Sequence, residues 1–174
     1  MKYSFKFAML VSAIVAFVGC SKEQSSFNVE DIPGSATIEG TLTYDAGYRK
    51  ISGSSNSYYN WEQYEEEAAN VRVTVKIANS QLSNHGASDG YATYETKTNY
   101  EGKFSLNVPA LDKGTSVTIS ATPFYADYHE RKQDGGDYYV SSERVLFGRS
   151  STNRTVYPND VAQWKVKLTK ASTN

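Results

Sequence analysis

Val71-Arg72-Val73-Thr74-Val75-Lys76-Ile77 alternates without interruption, with Val71, Val73, Val75 and Ile77 on one side and Arg72, Thr74 and Lys76 on the other. A period of two in β-branched residues predicts a strand with one face in a core and one in water. The same rhythm recurs on both sides of it. Upstream, 36–44 places Ile38, Gly40, Leu42 and Tyr44 on one face and Thr37, Glu39, Thr41 and Thr43 on the other. Downstream, 91–98 alternates again. Asn99-Tyr100-Glu101-Gly102 then forms a tight turn with a glycine available for positive φ. Strands follow at 103–108 (Phe104, Leu106, Val108 inward), 116–122 (Val117, Ile119, Ala121) and 163–169 (Trp164, Val166, Leu168). These short alternating segments, separated by turn residues, predict an all-β protein, an antiparallel β-sandwich of about seven or eight strands with loop insertions.

Between the regular strands the pattern loosens. Residues 45–57 read as a loop, and 60–70 as a short helix capped by Asn60 and closed by Asn70, or as a surface loop. Residues 79–90 read as a polar loop. Strands are expected at 124–130 and 138–147 around a loop at 131–137, with a polar loop at 148–154 and a frayed tail at 171–174.

Composition narrows the class. Tyrosine occurs 14 times against 2 methionines, a bias that fits half-buried pleated surfaces. Formal net charge is −1, and no cluster of Lys and Arg marks a nucleic-acid surface. Cys20 is the single cysteine, so no intrachain disulfide is available and stability rests on packing and hydrogen bonding.

The amino terminus carries Lys2 and Lys6, then an apolar run at 7–19 interrupted by Ser12, then Phe17-Val18-Gly19-Cys20 and the polar Ser21-Lys22-Glu23-Gln24. The apolar run is too short to cross a bilayer as a helix. The arrangement resembles the lipobox of bacterial lipoproteins, with Phe17 and Val18 where leucine and a small residue are commoner. The resemblance implies a signal peptide at 1–19 and cleavage before Cys20. It also implies diacylglyceryl and acyl chains on that residue, and two or more chains anchor stably. Residues 20–34 then serve as a leash, and 35–170 as the β-sandwich domain. With Ser21 and Lys22 rather than aspartate after the cysteine, the lipoprotein analogy implies the outer membrane, facing either the periplasm or the exterior.

Three further stretches carry a second resemblance: Ile38-Glu39-Gly40-Thr41-Leu42, Ala69-Asn70-Val71-Arg72-Val73, and Thr98-Asn99-Tyr100-Glu101-Gly102-Lys103-Phe104, with Pro109 and Val117-Thr118-Ile119 following. Together they resemble a carboxypeptidase regulatory-like domain, the transthyretin-like (prealbumin-like) or Ig-like sandwich. The stretch 36–122 is covered, and the chain departs from the pattern at the insertions 45–70 and 123–160. The resemblance implies a non-catalytic accessory or adhesion module and brings no catalytic residues with it.

The candidate chemistry is sparse. His85 and His129 have no His or Cys neighbour at ligand spacing, so neither a zinc site nor a nucleophile–base pair is expected. Asp134-Gly135-Gly136-Asp137 lacks the alternation of a calcium loop and reads as a turn. Glu65-Glu66-Glu67 reads as a solvated helix face. The expectation is no enzyme, no metal and no cofactor. Aromatic residues are the better signal: Tyr58, Tyr59, Trp61 and Tyr64 in the first insertion, and Tyr125, Tyr128, Tyr138 and Tyr139 in the second. Such side chains suit stacking on sugar rings or contact with a protein, and loops on a rigid sandwich are where recognition sits. Trp61 is the residue expected to be presented. The reading is therefore a membrane-tethered binding module, partnered with a glycan or an envelope protein. Its alternatives are a glycan-binding accessory of polysaccharide uptake and a structural subunit of a fimbrial or envelope assembly.

Overall fold

The structure, a computed structural model, describes residues 34–51, 61–82 and 89–171. Among the described residues there are ten strands and one helical turn. The smaller sheet has the order β4 (Tyr91–Lys97), β3 (Arg72–Ala78), β6 (Thr115–Ala121), β9 (Ser150–Val156), with every pairing antiparallel. A four-residue helical turn, α1 (Asn79–Leu82), tucks Leu82 into the core after β3.

The larger sheet is built around β1 (Gly34–Lys50), a 17-residue strand roughly 55 Å long at the usual rise per residue. One edge of β1 pairs antiparallel first with β5 (Lys103–Ala110) and then with β2 (Trp61–Glu67). The other edge pairs in parallel with β10 (Val161–Leu168) and then, at Gly47, with β7 (Phe124–Asp134). β7 forms a hairpin with β8 (Asp137–Phe147). The two sheets close over Ile38, Leu42, Val73, Val75, Ile77, Val117, Ile119, Val156 and Phe147, all within 0–1 % of full burial. The all-β sandwich expected from alternation is therefore present. Two of its pairings are parallel, because β10 and β7 both run alongside β1.

The turn chemistry lies where the sequence placed it. Gly102 has φ 68°, and a Cβ there would meet the Leu42 carbonyl at 2.3 Å. It occupies the junction where β5 gives way to β2 along β1, since Leu42 N–H donates to the Gly102 carbonyl and Ala68 N–H to the Leu42 carbonyl, each at 2.9 Å. Gly40 has a backbone carbonyl, that of Trp164, 2.0 Å from where a Cβ would lie, and the Phe104 ring beside it.

Segments at 45–57, 60–70 and 148–154 differ from expectation, and so does the loop foreseen at 131–137, most of which is strand in β7 and β8. The loop foreseen at 45–57 begins as strand: β1 runs on to Lys50 because Gly47, at φ 90°, makes a bulge that lets the alternation of Tyr44 and Ala46 continue in register with β2. The helix or loop foreseen at 60–70 is β2, and Glu65-Glu66-Glu67 is therefore a strand edge and not a helix face. A helix of that length has little stability of its own, and pairing with the free edge of β1 prevails over its caps. Asn70, at φ 58°, closes the turn into β3 instead. The polar loop foreseen at 148–154 is likewise β9, an edge strand with little apolar content. Nothing is described for 1–33, 52–60, 83–88 or 172–174, so Cys20, Tyr58, Tyr59, Asn60 and His85 lie outside the described residues.

Candidate functional site

The smaller sheet's strands are 7 residues long, while β1 runs for 17 and the β7–β8 hairpin for 11 on each arm. The second half of β1 thus carries β2 on one edge and β7–β8 on the other, and the burial alternation of the core fades there. Residues 131–136 are exposed in succession, a sequence no sandwich strand shows. This extension is where both insertions of the chain come together. The hairpin ends in Gly135 and Gly136, at φ 57° and 101°, the two left-handed residues of a type I′ turn. The Asp134–Asp137 stretch is that turn.

On the extension, Tyr64 of β2 stacks on His129 of β7, with ring centroids 6.1 Å apart and planes 23° from parallel. The Arg49 guanidinium lies 5.0 Å from the Tyr64 ring centroid and pairs with Glu62 at 2.6 Å. His129 Nδ1 is 2.7 Å from Ser142 Oγ, a contact that the cross-strand pairing of these two residues imposes. Arg131 spans two rings, 5.4 Å from Tyr48 and 4.8 Å from Tyr138. Lys170 lies 5.0 Å from the Tyr128 centroid and bonds to Glu143 at 2.5 Å, which holds the Glu143 carboxyl below its ordinary range. Near the core, the buried Tyr44 donates its hydroxyl proton to Glu66. Burial first, then the Glu66 hydrogen bond and charge, push the Tyr44 phenol far up. Burial likewise raises Tyr64, aided by Glu66 and opposed by Arg49.

The aromatic residues therefore divide. Tyr64 and Tyr128 are half-buried and already engaged by His129, Arg49 and Lys170. Trp61 is half-buried at the start of β2, opposite Lys50. Tyr125 and Tyr139 are the ones offered to solvent, at 61 % and 48 % exposure, with Tyr138 at 40 %. Sequence reading found both clusters but not their junction. Its signal was Gly47, which allows the two strand backbones to approach: a Cβ there would stand 2.2 Å from the His129 carbonyl oxygen.

A shallow depression of about 440 Å³ lies on the outward face of the larger sheet, lined by Glu39, Thr41, Asn99, Lys103, Ser105 and Gln163. It offers hydrogen-bonding groups of every kind, and Gln163 Nε2 donates to Glu39 at 3.0 Å within it. Among the described residues no group of three or more His, Cys, Asp and Glu is placed to hold a metal ion. Among them, too, no helix is long and apolar enough to cross a membrane.

No protein-family model matches the chain, and no curated relative matches it. Among solved structures, the shaft pilin SpaA of Lactobacillus rhamnosus GG is similar at 11 % identity and a TM-score of 0.38. A double mutant of that pilin is similar at 10 % identity and a TM-score of 0.39. Each comparison covers 80 % of this chain and 52 % of the pilin, so the chain spans about half the length of the solved chains it matches. Likenesses this distant transfer neither a role nor a partner. What the coordinates themselves define is a β-sandwich protein with a two-insertion sheet extension.

Proposed function

We propose that this chain is a non-catalytic recognition module of the bacterial cell envelope, tethered through lipid on Cys20 and binding through the extension that β2 and the β7–β8 hairpin form. The observation that carries the binding half is the Tyr64–His129 stack. It joins two insertions, far apart in sequence, into one surface whose outer positions are taken by Tyr125 and Tyr138, which share the His129 face of the hairpin, while Tyr139 lies on its other face. Large amphipathic rings exposed on an ordered scaffold fit a glycan face or a protein contact. The carboxypeptidase regulatory-like motifs agree with this reading, since their glycines and Phe104 perform structural tasks and leave recognition to the departures from the pattern. The tether rests on the residues around Cys20 alone.

Two experiments test the halves separately. Incorporation of labelled palmitate into the full chain is expected, and is expected to vanish in Cys20→Ser; equal labelling of both would remove the anchor. The full chain is then screened on a glycan array and by capture from envelope extracts, beside the double variant Tyr125→Ala/Tyr138→Ala, which alters the two exposed rings on the His129 face. Capture of a defined ligand that falls at least about tenfold in the variant supports the site. A ligand held equally by both places recognition elsewhere, the polar depression at Glu39 and Gln163 being the next surface to alter.

A further inference from the structure

β8 is an edge strand, and at 11 residues it is longer than the other edge strands described, β2, β4, β5, β9 and β10. β2 carries Glu62, Glu65, Glu66 and Glu67, and β5 carries Pro109, charges and a proline being the usual obstacles to edge pairing. β4 carries Glu95 and Lys97, and β9 is almost wholly polar. β8 carries Asp137, Glu143 and Arg144 but neither proline nor lysine over its 11 residues, its segment 138–142 is free of charge, and it exposes Tyr138 and Tyr139.

The free part of this edge has defined limits. At one end Gly148 N–H donates to the Thr169 carbonyl at 3.0 Å and Ala171 N–H to the Leu146 carbonyl at 2.8 Å, around the Phe147–Lys170 bridge. At the other end stands the Gly135-Gly136 turn. Between them, among the described residues, nothing pairs with the outer edge of 137–145. The bonds at Leu146 and Gly148 also fix which residues point outward. The β7–β8 register is unbroken, so alternation turns the N–H and C=O of Tyr138, Val140, Ser142 and Arg144 away from β7.

We infer that this edge pairs with the same edge of a second copy of the chain, antiparallel, about a two-fold axis through Ser141. That register places Val140 opposite Ser142 of the second copy and Tyr138 opposite its Arg144. Every outward N–H and C=O of the four residues is then used in both copies. Centring the axis one residue toward the turn sends Arg144 past the end of the partner strand. Centring it one residue the other way drives Tyr138 into the edge that 169–171 already covers. Side-chain chemistry agrees with the register. Glu143 faces a tyrosine hydroxyl, that of Tyr139, and not another carboxylate. Arg144 faces the ring of Tyr138, where cation–π attraction is available. The pairing is isologous and closes at two copies. It uses backbone groups and does not depend on the recognition reading above.

The axis makes a sharp test. In the non-hydrogen-bonded pair the two Ser141 Cα atoms would lie about 4.5 Å apart, inside the range a disulfide spans. The full chain is expected to sediment as a dimer, and Ser141→Cys to cross-link under mild oxidation. Glu143→Cys, whose counterpart would lie four residues along the strand, is expected not to, with the parent chain as the control for Cys20. Ser142→Pro deletes an outward N–H without touching the β7–β8 ladder and is expected to weaken dimerisation at least about tenfold. Ser142→Ala, which loses only the contact to His129, is expected to dimerise as the parent does. A parent chain that stays monomeric at tens of micromolar, with no Ser141→Cys cross-link, overturns the inference. So does a cross-link that forms through Glu143→Cys in place of Ser141→Cys, or a Ser141→Cys adduct formed only with a different protein.

Discussion

Thr98 shows how much one hydroxyl can hold. Buried at the end of β4, it accepts the Val71 N–H at 2.9 Å and donates to the Ala68 carbonyl, tying the turn after β2 to the start of β3. Thr98→Val keeps the shape and strands two buried backbone groups, a change expected to cost about 2–4 kcal/mol in denaturant unfolding, whereas Thr98→Ser is expected to cost about 1 kcal/mol or less. Tyr44 makes a different prediction. Its raised pKa means that folding favours the protonated phenol. Below pH 10, the ordinary tyrosine value, both folded and unfolded chains hold that proton and the stabilisation is complete. Above it the unfolded chain releases the proton first, so stability falls as pH rises. Urea midpoints measured from pH 8 to 11 are expected to decline above pH 10 in the parent and to decline less steeply in Tyr44→Phe. A parallel decline in both would remove Tyr44 as a source.

At the scale of elements, legibility followed side-chain period. β3, β5, β6 and β10 were readable because each has one face in the core and the residues say so, as Val73, Val75 and Ile77 do in β3, and β4 because Ala92 and Tyr94 pack against that core. β2 and β9 were not. Trp61-Glu62-Gln63-Tyr64-Glu65-Glu66-Glu67 has no apolar alternation, and it is a strand because β1 presents a free edge to it, a fact held by neither segment alone. For the β7–β8 hairpin the sequence predicts two strands about a loop at 131–137. Its arms in fact meet at Gly135 and Gly136, since both can take positive φ. Gly135→Val places a β-branched residue at φ 57° and is expected to loosen the hairpin. Faster amide exchange at 131–140 with a melting temperature within about 3 °C of the parent is the expected outcome, because these residues add little to the core. A large global loss would mean the hairpin is integral to the sandwich.

For the whole molecule, the parallel placement of β10 and β7 along β1 is what the sequence hid most completely. Alternation gives a strand two faces but no neighbours, and the candidate surface depends on neighbours. Both aromatic clusters were visible as composition. That Tyr64 would be consumed by His129 and Arg49, leaving Tyr125 and Tyr138 outermost on that face, required the pairing of Gly47 with His129. The central claim is that the two insertions form one coupled surface. Hydrogen exchange on the full chain with and without Tyr64→Ala tests it directly. The account predicts faster exchange both in β2 and in β7 around His129, with β3 and β6 unchanged. Faster exchange confined to β2, with β7 as protected as in the parent, would contradict it.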